Sequence, residues 1–136
     1  MRTSKATVVG FALVVIAGCG AQVPDVPVGT PVSYAEHLEP LVLAHCLSCH
    51  QTGEAKADLV LDQGTGYGRL VGPRSVQEPD VALVTPGDPE SSYLWMKLEH
   101  ATEKGKGMPR TLTGSKKLRE PELDLYRRWI EDGANP

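Results

Sequence analysis

Residues 46 to 50 read Cys46, Leu47, Ser48, Cys49, His50, two thiols three positions apart followed at once by an imidazole. Thiols at this spacing sit on one side of a short helical turn and can bond covalently to the two vinyl-derived carbons on one edge of a porphyrin. The adjacent imidazole can then reach the iron as its proximal axial ligand. C-x-x-C-H is accordingly the attachment signature of a c-type haem. Cys46 and Cys49 fix where the ring lies, His50 fixes its proximal face, and electron transfer is the chemistry that follows.

Two other chemistries use the same residue types. Thioredoxin-like exchange needs a strand before the C-x-x-C pair and a βαβ context, and neither is visible in the sequence. A zinc site needs a second pair of soft ligands, and the remaining cysteine, Cys19, lies in an N-terminal leader.

A sixth iron ligand would come from late in the chain, where Met96, His100 and Met108 are the candidates. Met108 stands in Gly105, Lys106, Gly107, Met108, Pro109, so a rigid non-helical loop presents a soft thioether without a helix colliding with the ring. Met96, beside Leu94 and Leu98, reads as core. His100 is the alternative ligand. His37 and His45 precede the motif and are given no iron role.

Arg2 and Lys5 precede an apolar run from Val8 to Ala17, followed by Gly18, Cys19 and Gly20. That run is about ten residues where a spanning helix needs about twenty, which makes residues 1–18 a signal peptide and the chain an exported one. Ile16, Ala17, Gly18, Cys19 resembles a bacterial lipobox, in which the cysteine is lipidated and becomes the mature N-terminus. The alternative is cleavage by an ordinary signal peptidase, which would leave a stray thiol. Lipidation would hold the protein on a bilayer, and Gly20, in place of the aspartate that retains enteric lipoproteins at the inner membrane, admits an outer-membrane destination. The expected location is the cell envelope, as a periplasmic or outer-membrane lipoprotein. Residues 19–32, with Pro24, Pro27, Gly29 and Pro31, read as an extended tether with little to bury, and residues 33–136 as one folded domain.

Within that domain Ser33 caps a predicted helix from Tyr34 to His45, with Glu36 as its reciprocal partner and Pro40 as a kink. Residues 51–89 are rich in Gly, Pro and Asp and read as loop, with one short helix around Tyr67 to Val71 and leucines facing the porphyrin. A Pro86 to Pro89 turn opens a helix from about Ser92 to Glu99. A Lys/Gly-rich loop follows, and Glu120 with Pro121 starts a closing helix to about Asp132 whose apolar stripe includes Leu123, Tyr126 and Ile130.

The only Phe, Phe11, lies in the leader, so two Trp and four Tyr supply the large aromatic surface of the domain. A buried porphyrin would make up for that thin core. Removing residues 1–18 takes away Arg2 and Lys5 and no acid, leaving 12 basic against 17 acidic residues, a net of −5, a balance unsuited to nucleic acid. The charge is uneven: Lys97 to Arg119 holds seven basic residues (Lys97, Lys104, Lys106, Arg110, Lys116, Lys117, Arg119) against Glu99 and Glu103. Such a stretch suits steering of a redox partner with an acidic docking face.

The chain resembles a class I c-type cytochrome domain: a helix leading into C-x-x-C-H, a methionine in a Met-Pro loop, and a closing helix. It is more closely similar to the planctomycete-type cytochrome c family. Four ordered matches carry the resemblance: Cys46 to His50, Leu-x-Leu-Asp at Leu59 to Asp62, Pro-Gly-Asp-Pro-x-x-Ser at Pro86 to Ser92, and Trp-Ile-x-x-Gly-Ala at Trp129 to Ala134. It implies a small, mainly α fold of helices and long loops wrapped around one covalent haem c, with Cys46 and Cys49 as thioether links and His50 and Met108 as axial ligands. Mitochondrial-type cytochromes follow the motif with a Gly-Pro whose carbonyl orients the proximal imidazole. No proline stands here between His50 and Pro73, so the partner of His50 is unassigned.

The expected function is a lipid-anchored monohaem carrier of single electrons. A haem-based ligand binder or sensor, with an open sixth site, is the alternative, and a small peroxidase would need a distal acid/base group that the sequence does not offer.

Overall fold

A computed structural model describes residues 22–136. The expected signal peptide and Cys19 lie outside the described residues. The fold is mainly helical: α1 (Glu39–His45), α2 (Gly66–Leu70), α3 (Tyr93–Leu98) and α4 (Glu120–Glu131) are joined by long loops, with one small hairpin of β1 (Arg110–Thr111) and β2 (Gly114–Ser115). None of these helices is long and apolar enough to cross a membrane.

The predicted helix from Tyr34 to His45 divides in two. Tyr34–Leu38 forms a π-helical turn, in which the Glu39 N–H bonds to the Tyr34 carbonyl, and α1 begins only then, with Pro40 in its first turn. Proline has no N–H to give and its ring collides with the preceding turn of a regular helix, so the wider turn before it removes both problems. Ser33 caps as expected, its hydroxyl accepting from Glu36 N–H at 3.4 Å. The reciprocal partner differs: the Ser33 N–H donates to His37 Nδ1 at 2.9 Å, and Glu36 stays exposed.

α4 is the main packing element. Proline in its first turn needs no hydrogen-bond partner, and the Arg119 N–H donates to the Glu122 carboxylate at 2.9 Å. Leu123, Leu125, Tyr126, Trp129 and Ile130 are all buried, each contributing about 1.5–3 kcal/mol of apolar transfer. Trp129 packs on Tyr34 with ring centres 5.7 Å apart, and Tyr34 on Tyr67 at 5.9 Å, so α4 closes against the first turn of the domain.

Two of the short sequence matches hold this packing in place. After α4, Gly133 and Ala134 take positive φ and turn the chain back, which lets the Asn135 carbonyl accept from Trp129 Nε1 at 2.8 Å and from Tyr34 N–H at 3.0 Å. In the Pro86 to Ser92 turn, the Gly87 N–H reaches the Ile130 carbonyl at 2.7 Å, and the fully buried Ser92 hydroxyl accepts from Thr85 N–H and donates to the Asp88 carbonyl, each at 2.8 Å. The turn thereby staples the start of α3 to the end of α4.

The Pro-rich stretch read as a tether is seated on the domain before Ser33 is reached. Val26 and Val32 are buried, the Arg128 guanidinium donates to the carbonyls of Val26 (2.9 Å), Pro27 (3.0 Å) and Thr30 (3.3 Å), and the Val32 N–H donates to Asp132 at 3.2 Å. An extended chain without helical bonds leaves its carbonyls free, and an arginine fork suits them. Packing begins ahead of Ser33, with Val23 partly buried against the core and Val26 buried.

Candidate functional site

α1 delivers the attachment motif. Its last turns continue past His45 through Cys46 N–H to Val42 O (2.8 Å), Cys49 N–H to Cys46 O (3.1 Å) and His50 N–H to Cys46 O (3.1 Å). These tight turns bring both thiols and the imidazole to the wall of one cavity of about 580 Å³, which Met108 also lines. Leu59, Leu61, Leu70, Leu83, Leu94 and Leu98 supply its apolar walls. That volume falls in the range of about 300–1,000 Å³ that organic cofactors occupy. An apolar slot with two thiols, two imidazoles (His45 and His50) and one thioether on its walls fits a covalently held porphyrin.

His50 is buried, and its Nδ1 lies 3.1 Å from the Leu59 carbonyl oxygen. A carbonyl can only accept, so Nδ1 carries the proton and Nε2 keeps its lone pair for a metal. Burial lowers the His50 pKa against the backbone hydrogen bonds that raise it, which favours the neutral imidazole a metal requires. The Leu61 N–H donates to the His50 carbonyl at 2.6 Å, and Asp62 accepts from Thr52 N–H at 3.1 Å and Thr52 Oγ1 at 2.6 Å. Leu59 to Asp62 thus braces His50 and supplies the partner that sequence reading left unassigned.

Burial, with a smaller contribution from Cys49, pushes the Cys46 thiol up to about 12. A protonated, half-buried thiol is the opposite of the thiolate that disulfide exchange uses, and a helix, not a strand, precedes the pair. The zinc reading also lacks ligands: among the described residues no group of three or more His, Cys, Asp or Glu side chains could hold a metal ion.

The Met108 loop is tied down on both sides. The Met108 N–H donates to Lys97 O at 2.9 Å, His100 Nε2 donates to Met108 O at 3.1 Å, and Ser115 Oγ donates to Gly107 O at 2.7 Å. His100, the alternative ligand, is exposed and engaged with that backbone, outside the cavity wall. Met96 faces a separate hollow with Arg74, Thr85 and Glu90. His37 caps the first turn, as described. His45 does line the cavity, with its Nε2 3.0 Å from the Glu122 carboxylate, a contact that sequence reading missed.

Residues 46–110 match the family model described as Planctomycete cytochrome C. The chain carries a planctomycete-type cytochrome c domain. A domain of this type implies covalently bound haem c, and cytochrome c domains are generally exported. No curated protein and no solved structure matches the chain.

The basic stretch of this cytochrome domain is not one solvated face. Lys97 is buried, Lys104 pairs with Glu78 at 3.0 Å, Lys117 with Glu99 at 3.0 Å, and Arg119 with Glu122 at 2.7 Å. Lys106, Arg110 and Lys116 are exposed, and Arg110 lies at the cavity itself.

Proposed function

We propose that the protein is an exported, lipid-anchored carrier of single electrons with one haem c, bound through Cys46 and Cys49, ligated by His50 and Met108, and anchored through lipid on Cys19. The observation that carries this reading is the meeting of Cys46, Cys49, His50 and Met108 on one cavity of about 580 Å³.

When bound, the haem supplies a one-electron couple. The chain's own residues do the rest. Cys46 and Cys49 would hold the haem covalently, and the Leu59 carbonyl keeps His50 in the tautomer that offers Nε2. The loop bonds from Lys97 and His100 hold Met108 on the cavity wall, and the leucines supply an apolar lining. Methionine and histidine together favour a relatively high potential. The cavity is partly open to solvent and the exposed Arg110 lies on its lining, which leaves a place where a partner can approach. Lys106, Arg110 and Lys116 would steer a partner with an acidic docking face through a small, transient contact. That steering requires the transfer rate to fall as salt rises, and a salt-independent rate removes it.

The optical spectrum of the matured protein tests the ligand set. Ferric haem with a methionine ligand shows a weak long-wavelength thioether-to-iron band. The band is expected in the parent protein, absent in Met108→Ala and retained in His100→Ala. A high-spin spectrum with ready carbon monoxide binding in the parent would replace the carrier by a ligand binder or sensor.

A further inference from the structure

We infer that Lys97 positions Met108 and, through the same buried ammonium, sets the reduction potential of the haem. The inference rests on the haem reading above.

Lys97 is only 6% exposed, on α3, and lines the cavity. Its Nζ donates to the carbonyls of Lys104 at 3.1 Å and Lys106 at 3.3 Å, and it lies 4.9 Å from the centre of the Tyr93 ring. No carboxylate among the described residues forms an ion pair with it. Buried lysines are rare and ordinarily paired. Here carbonyl dipoles and an aromatic face solvate the charge without neutralising it, so its field persists into the cavity.

The loop is built to close over this group. Gly105 has φ +75°, and a Cβ there would collide with Lys97 Nζ and come within 2.9 Å of Gln77 Oε1. Tyr93 Oη ties the same place, donating to Lys104 O at 3.0 Å. With its own carbonyl accepting from Met108 N–H at 2.9 Å, Lys97 grips the methionine loop at residues 104, 106 and 108. Position 97 therefore sets how Met108 meets the cavity.

The charge has a second consequence. Reduction adds one electron from a partner protein and no proton, so the iron centre loses one unit of positive charge. A fixed cation in a low-dielectric wall repels the oxidised state more than the reduced one and raises the potential.

The test is the midpoint potential and ferric spectrum of the matured protein, compared with Lys97→Met, Lys97→Gln and the exposed control Lys106→Met. Lys97→Met is expected to shift the equilibrium about tenfold toward the oxidised form, about 59 mV for one electron, and to weaken the thioether band. Lys97→Gln, which keeps a donor for the loop carbonyls, is expected to lower the potential as much while retaining the band. Lys106→Met, screened by solvent, should shift far less. Wild-type potential in either Lys97 variant, with attached haem and unchanged far-ultraviolet circular dichroism, overturns the electrostatic role. An undiminished band in Lys97→Met overturns the positioning role. A parent protein without the band refutes methionine ligation instead, and the potentials still test the charge.

Discussion

The Leu59 carbonyl oxygen lies 3.1 Å from His50 Nδ1, and two residues on, the Leu61 N–H returns a 2.6 Å bond to the His50 carbonyl. Side chain and backbone of the histidine are thereby held by one short extended segment. Leu61→Pro removes the returning donor and leaves the apolar character of the site in place. The expected result is attached haem with a high-spin fraction, as the imidazole loses its orientation. Electron paramagnetic resonance of the ferric protein reads this directly, and a purely low-spin Leu61→Pro spectrum would refute the brace.

Glu122 has a fully internal carboxylate held between Arg119 at 2.7 Å and His45 at 3.0 Å. Burial alone would raise its pKa, but hydrogen bonds from the Arg119 side chain and backbone and from His45 prevail and bring it to about 2. A depressed carboxyl stabilises the fold fully above its unfolded pKa near 4.5, and that stability is lost as pH falls toward 2. The linkage amounts to at most about 3 kcal/mol. Denaturant melts between about pH 5 and pH 2 should show a shallower pH dependence in Glu122→Gln than in the parent. Equal slopes would place the acid sensitivity elsewhere.

What could be read from the sequence divides along a physical line. Cys46, Cys49, His50 and α4 were legible because covalent spacing and helical periodicity are local properties of the chain. The non-helical loop that carries Met108 to the cavity was legible because glycine and proline restrict the backbone around it. The partner of His50 was not, since a carbonyl such as that of Leu59 leaves no mark on residue identity. The burial of Lys97 was equally hidden: a lysine at the head of a stretch of seven basic residues reads as solvent-exposed, and only the return of the loop over α3 encloses it. The seating of residues 26–32 was missed for a similar reason, because the guanidinium that holds them, Arg128, is about a hundred positions away.

Gly66 gives a test of packing in the aromatic cluster. A Cβ at this position would collide with the Tyr34 hydroxyl, and Tyr34 cannot retreat because its ring is fixed between Tyr67 and Trp129. Gly66→Ala should cost about 1–3 kcal/mol. The Tyr34 hydroxyl is itself buried with no hydrogen-bond partner among the described residues, so Tyr34→Phe should be neutral or stabilising. The double variant should recover most of the loss. A double-mutant cycle with no coupling would mean that the two positions do not meet.

The seated N-terminal segment leads to a prediction about where the domain begins. If residues 22–32 were only a spacer, a chain starting at Ser33 would be as stable as one starting at Gln22. Val32 has no exposed surface and Val26 only 7%, and together they represent about 3 kcal/mol of apolar burial. The Arg128 fork would also lose its three carbonyl partners, although water can replace those at the exposed end. Thermal melts of the two matured proteins should therefore differ by several degrees in favour of the longer one. Arg128→Ala in the longer chain should give part of that loss and little further loss in the shorter one, since the contacts it would remove are already gone. An additive penalty in both chains would show that Arg128 acts through Asp124, its neighbour at 3.7 Å on α4, and not through the segment it clasps.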